Sequence, residues 1–254
     1  MSRPRIHTAV LLVAGALLGG VTGVTLVHAS CGPQGAPTKR STPTAERGPE
    51  LIVPRAAGEI TIDGELEDPG WSGPLARTGA FVDREKPAHP YSDARFVYRD
   101  GQLFVVLYAA DEDIRIGDAG HDDPLYMSDA FELVFRTPRG ELLIDVSPGG
   151  VVTDARRTAD GGTDFRWESH ARVSVDRDGT VNDRSDQDEE WVVEMAIPLD
   201  ALGLTGKSGE RVGFTVRRCD HVPNAGRVCG TWGAAPGEGT LVLGGDGALT
   251  PRMP

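Results

Sequence analysis

The sequence predicts an all-β fold, an antiparallel β-sandwich, and three observations carry that reading. Short apolar runs with period-two alternation recur from about residue 59 to residue 243. Gly-, Asp- and Pro-containing turns separate them, and no βαβ spacing or Gly-rich phosphate loop opens a helix. Composition agrees, since 33 glycines and 18 prolines suit many turns, and aromatics make up only 6% of 254 residues.

The elements follow in order. Residues 59–63 (Glu-Ile-Thr-Ile-Asp) alternate and stop at Gly64, which predicts a first strand. Residues 94–98 and 103–109 flank Arg99-Asp100-Gly101-Gln102, a strong hairpin signal. Residues 131–135 and 142–146 flank Thr137-Pro138-Arg139-Gly140, a second hairpin. Residues 171–175 lead into Asp176-Arg177-Asp178-Gly179, read as another turn before residues 180–181. Residues 191–197 and 211–217 are two further strands, and 240–243 closes the chain. Residues 199–204 alone suggest a helical turn, stopped by Gly203 and Gly206.

The first fifty residues have another character. Arg3 and Arg5 precede an uncharged run over residues 8–27, long enough for a bilayer core, with the basic start on the cytoplasmic side. The run ends at Val27-His28-Ala29-Ser30-Cys31, which resembles the lipobox of bacterial lipoproteins, with His28 where that family usually has Leu. Three outcomes fit: acylation at Cys31, an uncleaved anchor helix, or a conventional signal cut nearby. Residues 32–50, rich in Pro, Thr and Gly without apolar periodicity, read as a spacer. The expected organisation is therefore a signal or anchor over 1–31, a linker over 32–50 and one sandwich over 51–250. The protein is expected to be exported and held at the cell envelope.

Export places the three cysteines in an oxidising compartment. Cys219 and Cys229 flank a loop with Pro223, Asn224 and Gly226, so a disulfide is expected there and Cys31 is left for lipidation. Charge narrows the partners. The first fifty residues hold five of the 26 basic side chains and two of the 38 acids; that leaves 21 basic against 36 acidic residues beyond them, a net of −15. Such a field repels nucleic-acid phosphates and anionic lipid surfaces. Neutral polar ligands and divalent cations suit it.

Five segments together resemble the family 9 carbohydrate-binding modules and their DOMON-like relatives. They are Ile60-Thr61-Ile62-Asp63-Gly64 with Asp68-Pro69-Gly70-Trp71; residues 96–105 with Asp111-Glu112-Asp113; residues 129–135; residues 191–199; and residues 239–243. The resemblance implies a jelly-roll β-sandwich and non-catalytic binding of sugar chain ends. It also implies that Trp71 and Trp191 are packing residues.

Strand alternation sends Phe131, Leu133 and Phe135 inward and leaves Glu132 on the other face, near Tyr126. The ring suits the C–H face of a sugar, and the carboxylate suits its hydroxyls. Asp129 belongs to the same motif. In sugar-binding members of the family a second aromatic and an Arg complete the site. Here the position of that Arg falls near Asp145, and the late loop Ala234-Ala235-Pro236-Gly237-Glu238 has no aromatic, which leaves Trp232 beside the gap. Tyr126, Asp129, Glu132, Asp145 and Trp232 are thus the expected ligand residues. Trp167 is read either as edge packing or as part of a binding face.

Other chemistries also draw on acids, histidines and methionines of this sequence. Asp111, Asp113, Asp122 and Asp123 are oxygen donors of the kind calcium takes, and family members often hold structural calcium, although solvated acidic loops explain them too. Haem b would need Met127, Met195, His121 or His170 as ligands. A glycosidase needs two facing carboxylates, whereas Asp129 and Glu132 point to opposite faces. The remaining reading is a structural or protein-interaction module that kept the fold and lost the sugar site.

Overall fold

The computed structural model describes residues 48–222, 225–233 and 238–245. The segment 1–31 with Cys31, the linker up to residue 47 and the loop residues 234–237 lie outside the described residues. The strands in chain order are β1 (Glu50–Val53), β2 (Ala76–Arg77), β3 (Val82–Asp83), β4 (Lys86–Pro87), β5 (Ser92–Arg99), β6 (Gln102–Ala110) and β7 (Ala130–Thr137). They continue with β8 (Gly140–Val146), β9 (Val152–Arg157), β10 (Thr163–Asp164), β11 (Arg172–Asp178), β12 (Glu190–Pro198), β13 (Arg211–Val222), β14 (Gly226–Trp232) and β15 (Gly239–Leu243).

These strands form two sheets, an antiparallel sandwich of jelly-roll type. The larger runs β10-β9-β8-β7-β13-β14-β3-β4, and the smaller runs β11-β12-β6-β5-β2. The N-terminal half of β13 pairs with β15 and its C-terminal half with β14. β1 joins β15 in parallel.

Both predicted hairpins form. Asp100 and Gly101 take φ of 47° and 77° between β5 and β6, the two left-handed residues a tight hairpin turn of this hand requires. The turn after residue 199 also forms, with the Leu204 N–H donating to the Leu199 carbonyl.

Two expectations fail. Residues 59–63 are not a strand. Their backbone bonds go elsewhere: the Thr61 N–H donates to Asp68 Oδ2 at 2.6 Å, and Asp63 and Gly64 donate to Glu194. Residues 176–178 are not a turn, because they extend β11 and pair with residues 192–190 of β12. β11 is an edge strand, where exposed charges are tolerated and block further pairing. β9 carries too many charged and small residues to stand out in the sequence as an apolar run.

Two apolar clusters explain why one face is left for a site. The main core lies between the sheets and includes Phe96, Leu107, Phe131, Leu133, Phe135, Trp191, Met195 and Phe214. The second covers the outer face of the smaller sheet, where Trp71, Ile60, Ile62 and Leu66 pack on Val97, Phe104 and Val106. β6 is therefore buried on both faces, which is why it reads as an unbroken apolar run. The outer face of the larger sheet carries polar and charged side chains. Met195 is enclosed in the core and Met127 stands on the surface, so the two methionines weighed as haem ligands do not share a cavity.

Candidate functional site

Register builds a polar row across the outer face of the larger sheet. Glu132 on β7 faces Asp145 on β8 and Arg217 on β13; Asp145 faces Thr153 on β9, and Arg217 faces Thr231 on β14. Period-two geometry puts all five on the side away from the core.

A cavity of about 280 Å³ opens over this row, lined by Tyr126, Glu132, Asp145, Arg157, Phe165 and Arg227 among others. Tyr126, in the loop before β7, is 63% exposed, and Phe165, just after β10, is 48% exposed. The cavity therefore has two solvent-facing rings on its rim, with carboxylates and guanidiniums between.

Glu132 does not stand alone as a hydroxyl acceptor. Its Oε2 accepts from Arg217 Nε at 2.8 Å and also from Arg217 Nη2, while Oε1 accepts from Arg227 Nη2 at 2.9 Å. Its role is to fix two arginines that lie 85 and 95 residues away in the sequence. The Asp145 carboxylate, by contrast, has no hydrogen-bond partner among the described residues. Burial, then the Glu132 charge, pushes its pKa up to about 7, against the pull of Arg217 and Arg227.

The Cys219–Cys229 disulfide forms as expected, joining directly opposed residues of β13 and β14. Each cysteine is two residues from one of the arginines that hold Glu132, so the crosslink ties together the strands that carry them.

Two expected ligand residues lie elsewhere, and Trp167 takes the packing role of its two readings. Trp232 faces Val216 across the β13–β14 pair, and its ring centroid is 6.1 Å from that of Phe214, so it packs on the core side. Asp129 is fully buried, accepting from the backbone N–H groups of Arg115 at 2.6 Å and His221 at 2.8 Å. Trp167 packs against the main core, while Phe165, two residues earlier, reaches the cavity. A lone Phe between Asp164 and Arg166 carries no strand period to reveal this.

The acids weighed as a calcium set divide. Asp111 joins Asp129 and Asp220, all buried, each offering an oxygen within 4.8 Å of the others. Asp111 Oδ2 accepts from Arg218 Nη2 at 2.7 Å and from Trp191 Nε1 at 2.9 Å. Burial, followed by repulsion from Asp111, raises the pKa of Asp129; burial also raises that of Asp220. The three carboxylates face one guanidinium and, 3.2 Å from Asp129 Oδ1, the His221 ring; ionised together they would carry a negative excess that a divalent cation balances. A cavity of about 70 Å³ lined by Asp111, Asp113, Asp220 and His221 adjoins the cluster, and Asp113 Oδ1 is buried without a hydrogen-bond partner. This buried donor set is of a kind that can coordinate a metal ion. Asp122 and Asp123 lie farther along the same connection between β6 and β7, outside this cluster; Asp123 Oδ2 caps the Gly120 N–H at 2.8 Å.

No protein-family model matches the sequence, and no curated protein matches it. Solved structures do. The chain is similar to a family 9 carbohydrate-binding module from Caldicellulosiruptor kristjanssonii in complex with cellotriose, at 17% identity and a TM-score of 0.53, covering 81% of this chain and all of that one. A family 9 module of the same organism in complex with glucose matches at 16% identity and a TM-score of 0.52, over 79% of this chain and all of the other. A Bacteroides uniformis protein proposed to bind carbohydrate matches at 14% identity and a TM-score of 0.59, over 77% and 99% of the two chains. At these identities the likeness establishes the fold: an all-β, antiparallel two-sheet sandwich of the kind found in carbohydrate-binding modules.

Proposed function

We propose that this protein is a non-catalytic carbohydrate-binding module, and that the outer face of the larger sheet is its binding surface. The observation that carries the proposal is the pairing of Tyr126 and Phe165 on the rim of a cavity whose floor holds Glu132, Asp145, Arg157 and Arg227. Aromatic faces complement the C–H surfaces of a sugar, and a partnerless carboxylate beside guanidiniums offers hydroxyls both acceptors and donors. Charges of both signs mix on the floor, so no uniform field selects an ionic ligand. A glycan array on the purified protein tests this. Binding to a neutral glycan that Tyr126→Ala and Phe165→Ala both weaken supports the proposal; an array with no neutral glycan bound ends it.

The buried cluster around Asp111, Asp129 and Asp220 is proposed as a structural calcium site, since its donors are all oxygens. Calcium should raise the melting temperature. An unchanged melting temperature at millimolar calcium would remove the site.

We further propose that the chain is exported and tethered to the membrane through an acylated Cys31, on the strength of the basic, apolar and small-residue order of residues 1–31. Mass spectrometry of membrane-extracted protein reads this directly: an unmodified Cys31 rejects it.

A further inference from the structure

A second cavity, of about 350 Å³, lies at the edge of the sandwich, away from the sugar face. It is lined by His121, Val152, Asp154, Glu168, His170 and Val173 among others. β9 residues alternate, so Val152 and Asp154 point to the core side while Thr153 lies in the polar row of the outer face. The cavity therefore sits between the margins of the two sheets, where β9 approaches β11.

At its mouth His121 Nε2 lies 3.5 Å from Glu168 Oε2 and 3.7 Å from Asp122 Oδ2. The three donor atoms are all within 4.8 Å of one another. A tetrahedral ion with bonds of about 2.0–2.1 Å to such donors holds them about 3.3–3.4 Å apart. His121 stands within a few tenths of an ångström of that separation from each carboxylate.

An independent observation comes from the cavity wall. Asp154 is 2% exposed, and its Oδ1 has no hydrogen-bond partner. A buried carboxylate oxygen without a partner is costly, and here it lines the cavity that His121 and Glu168 share. Its other oxygen is held by the Ser169 N–H at 2.7 Å, next in sequence to Glu168. The Asp154 N–H in turn meets Asp122 Oδ1 at 3.4 Å, which leaves Asp122 Oδ2 turned towards His121. The carboxylates are thus oriented by backbone donors, the kind of support metal ligands have.

We propose that His121, Asp122 and Glu168, with the buried Asp154 carboxylate supporting them from the cavity wall, bind zinc or a neighbouring late first-row divalent ion. An imidazole among carboxylates selects against calcium and magnesium, which take oxygen donors, and suits zinc. The site is separate from the buried all-oxygen cluster and from the sugar face, and does not depend on either.

The test is zinc titration of the untagged, chelator-stripped full chain by calorimetry, with cobalt absorption as a second readout. One equivalent of zinc is expected to bind. His121→Ala and Asp154→Asn should each weaken binding by roughly tenfold or more, since even supporting contacts around a metal contribute that much. His121 is exposed, so His121→Ala should keep its metal-free melting temperature and lose only the zinc-induced rise. Tyr126→Ala should bind zinc normally. No stoichiometric zinc binding, or binding that His121→Ala leaves unchanged, overturns the proposal. Loss with His121→Ala but not with Asp154→Asn overturns the place of Asp154 in the site.

Discussion

Glu194 Oε1 accepts the indole N–H of Trp71 at 2.8 Å, across 123 residues of sequence. Its Oε2 accepts from the backbone N–H groups of Asp63 and Gly64, both at 3.0 Å. Glu194 points to the outer face of β12, and the segment carrying Ile60, Ile62 and Trp71 folds over it. One buried carboxylate thereby pins the cover of the smaller sheet, and two sequence motifs that look independent are parts of one contact.

Replacing this carboxylate should loosen the cover. Glu194→Gln puts an amide N–H₂ against an N–H donor and should cost about 2–3 kcal/mol in urea unfolding. Trp71→Phe, which removes one donor and leaves the other two, should cost less. A Glu194→Gln midpoint equal to that of the parent protein would contradict this account.

The disulfide closes a loop of ten residues in sequence separation and should contribute about 3 kcal/mol. Reduction should lower the melting temperature and, by freeing β14, weaken ligand binding through Arg227. Stability that survives reduction intact would show that the β13–β14 pairing alone holds these strands.

Asp145 should impose a pH dependence. Its folded pKa, raised to about 7 from 3.8, means that the folded state holds a proton the unfolded chain has released between those values. Its destabilising effect is absent below about 3.8, grows as pH rises and is complete above about 7. Asp145→Asn should therefore gain melting temperature over the parent at pH 8 and match it near pH 4. Parallel curves across that range would rule the effect out.

On the proposed binding face, Phe165→Ala and Tyr126→Ala should each weaken glycan binding by roughly three- to tenfold, the worth of one aromatic contact of about 1 kcal/mol. Calorimetry against the best array hit measures it. If only Tyr126 matters, the two-ring rim is not the recognition surface.

Much of this protein was legible from its residues. Asp100-Gly101 set a hairpin because the turn needs two left-handed residues, and the spacing of Phe131, Leu133 and Phe135 sent them inward because a strand alternates by two. Cys219 and Cys229 announced their pairing by the short turn-bearing loop between them.

What the sequence could not decide was which distant groups meet. Arg217 and Arg227 claim Glu132 only because β13 and β14 lie beside β7. Phe165 reaches the cavity from a loop without periodicity, and Trp232 turns inward by the parity of β14. Local pattern reports a residue's face and conformation. Its partners across strands are fixed by register and sheet order, and these emerge only when the two sheets close on a common core.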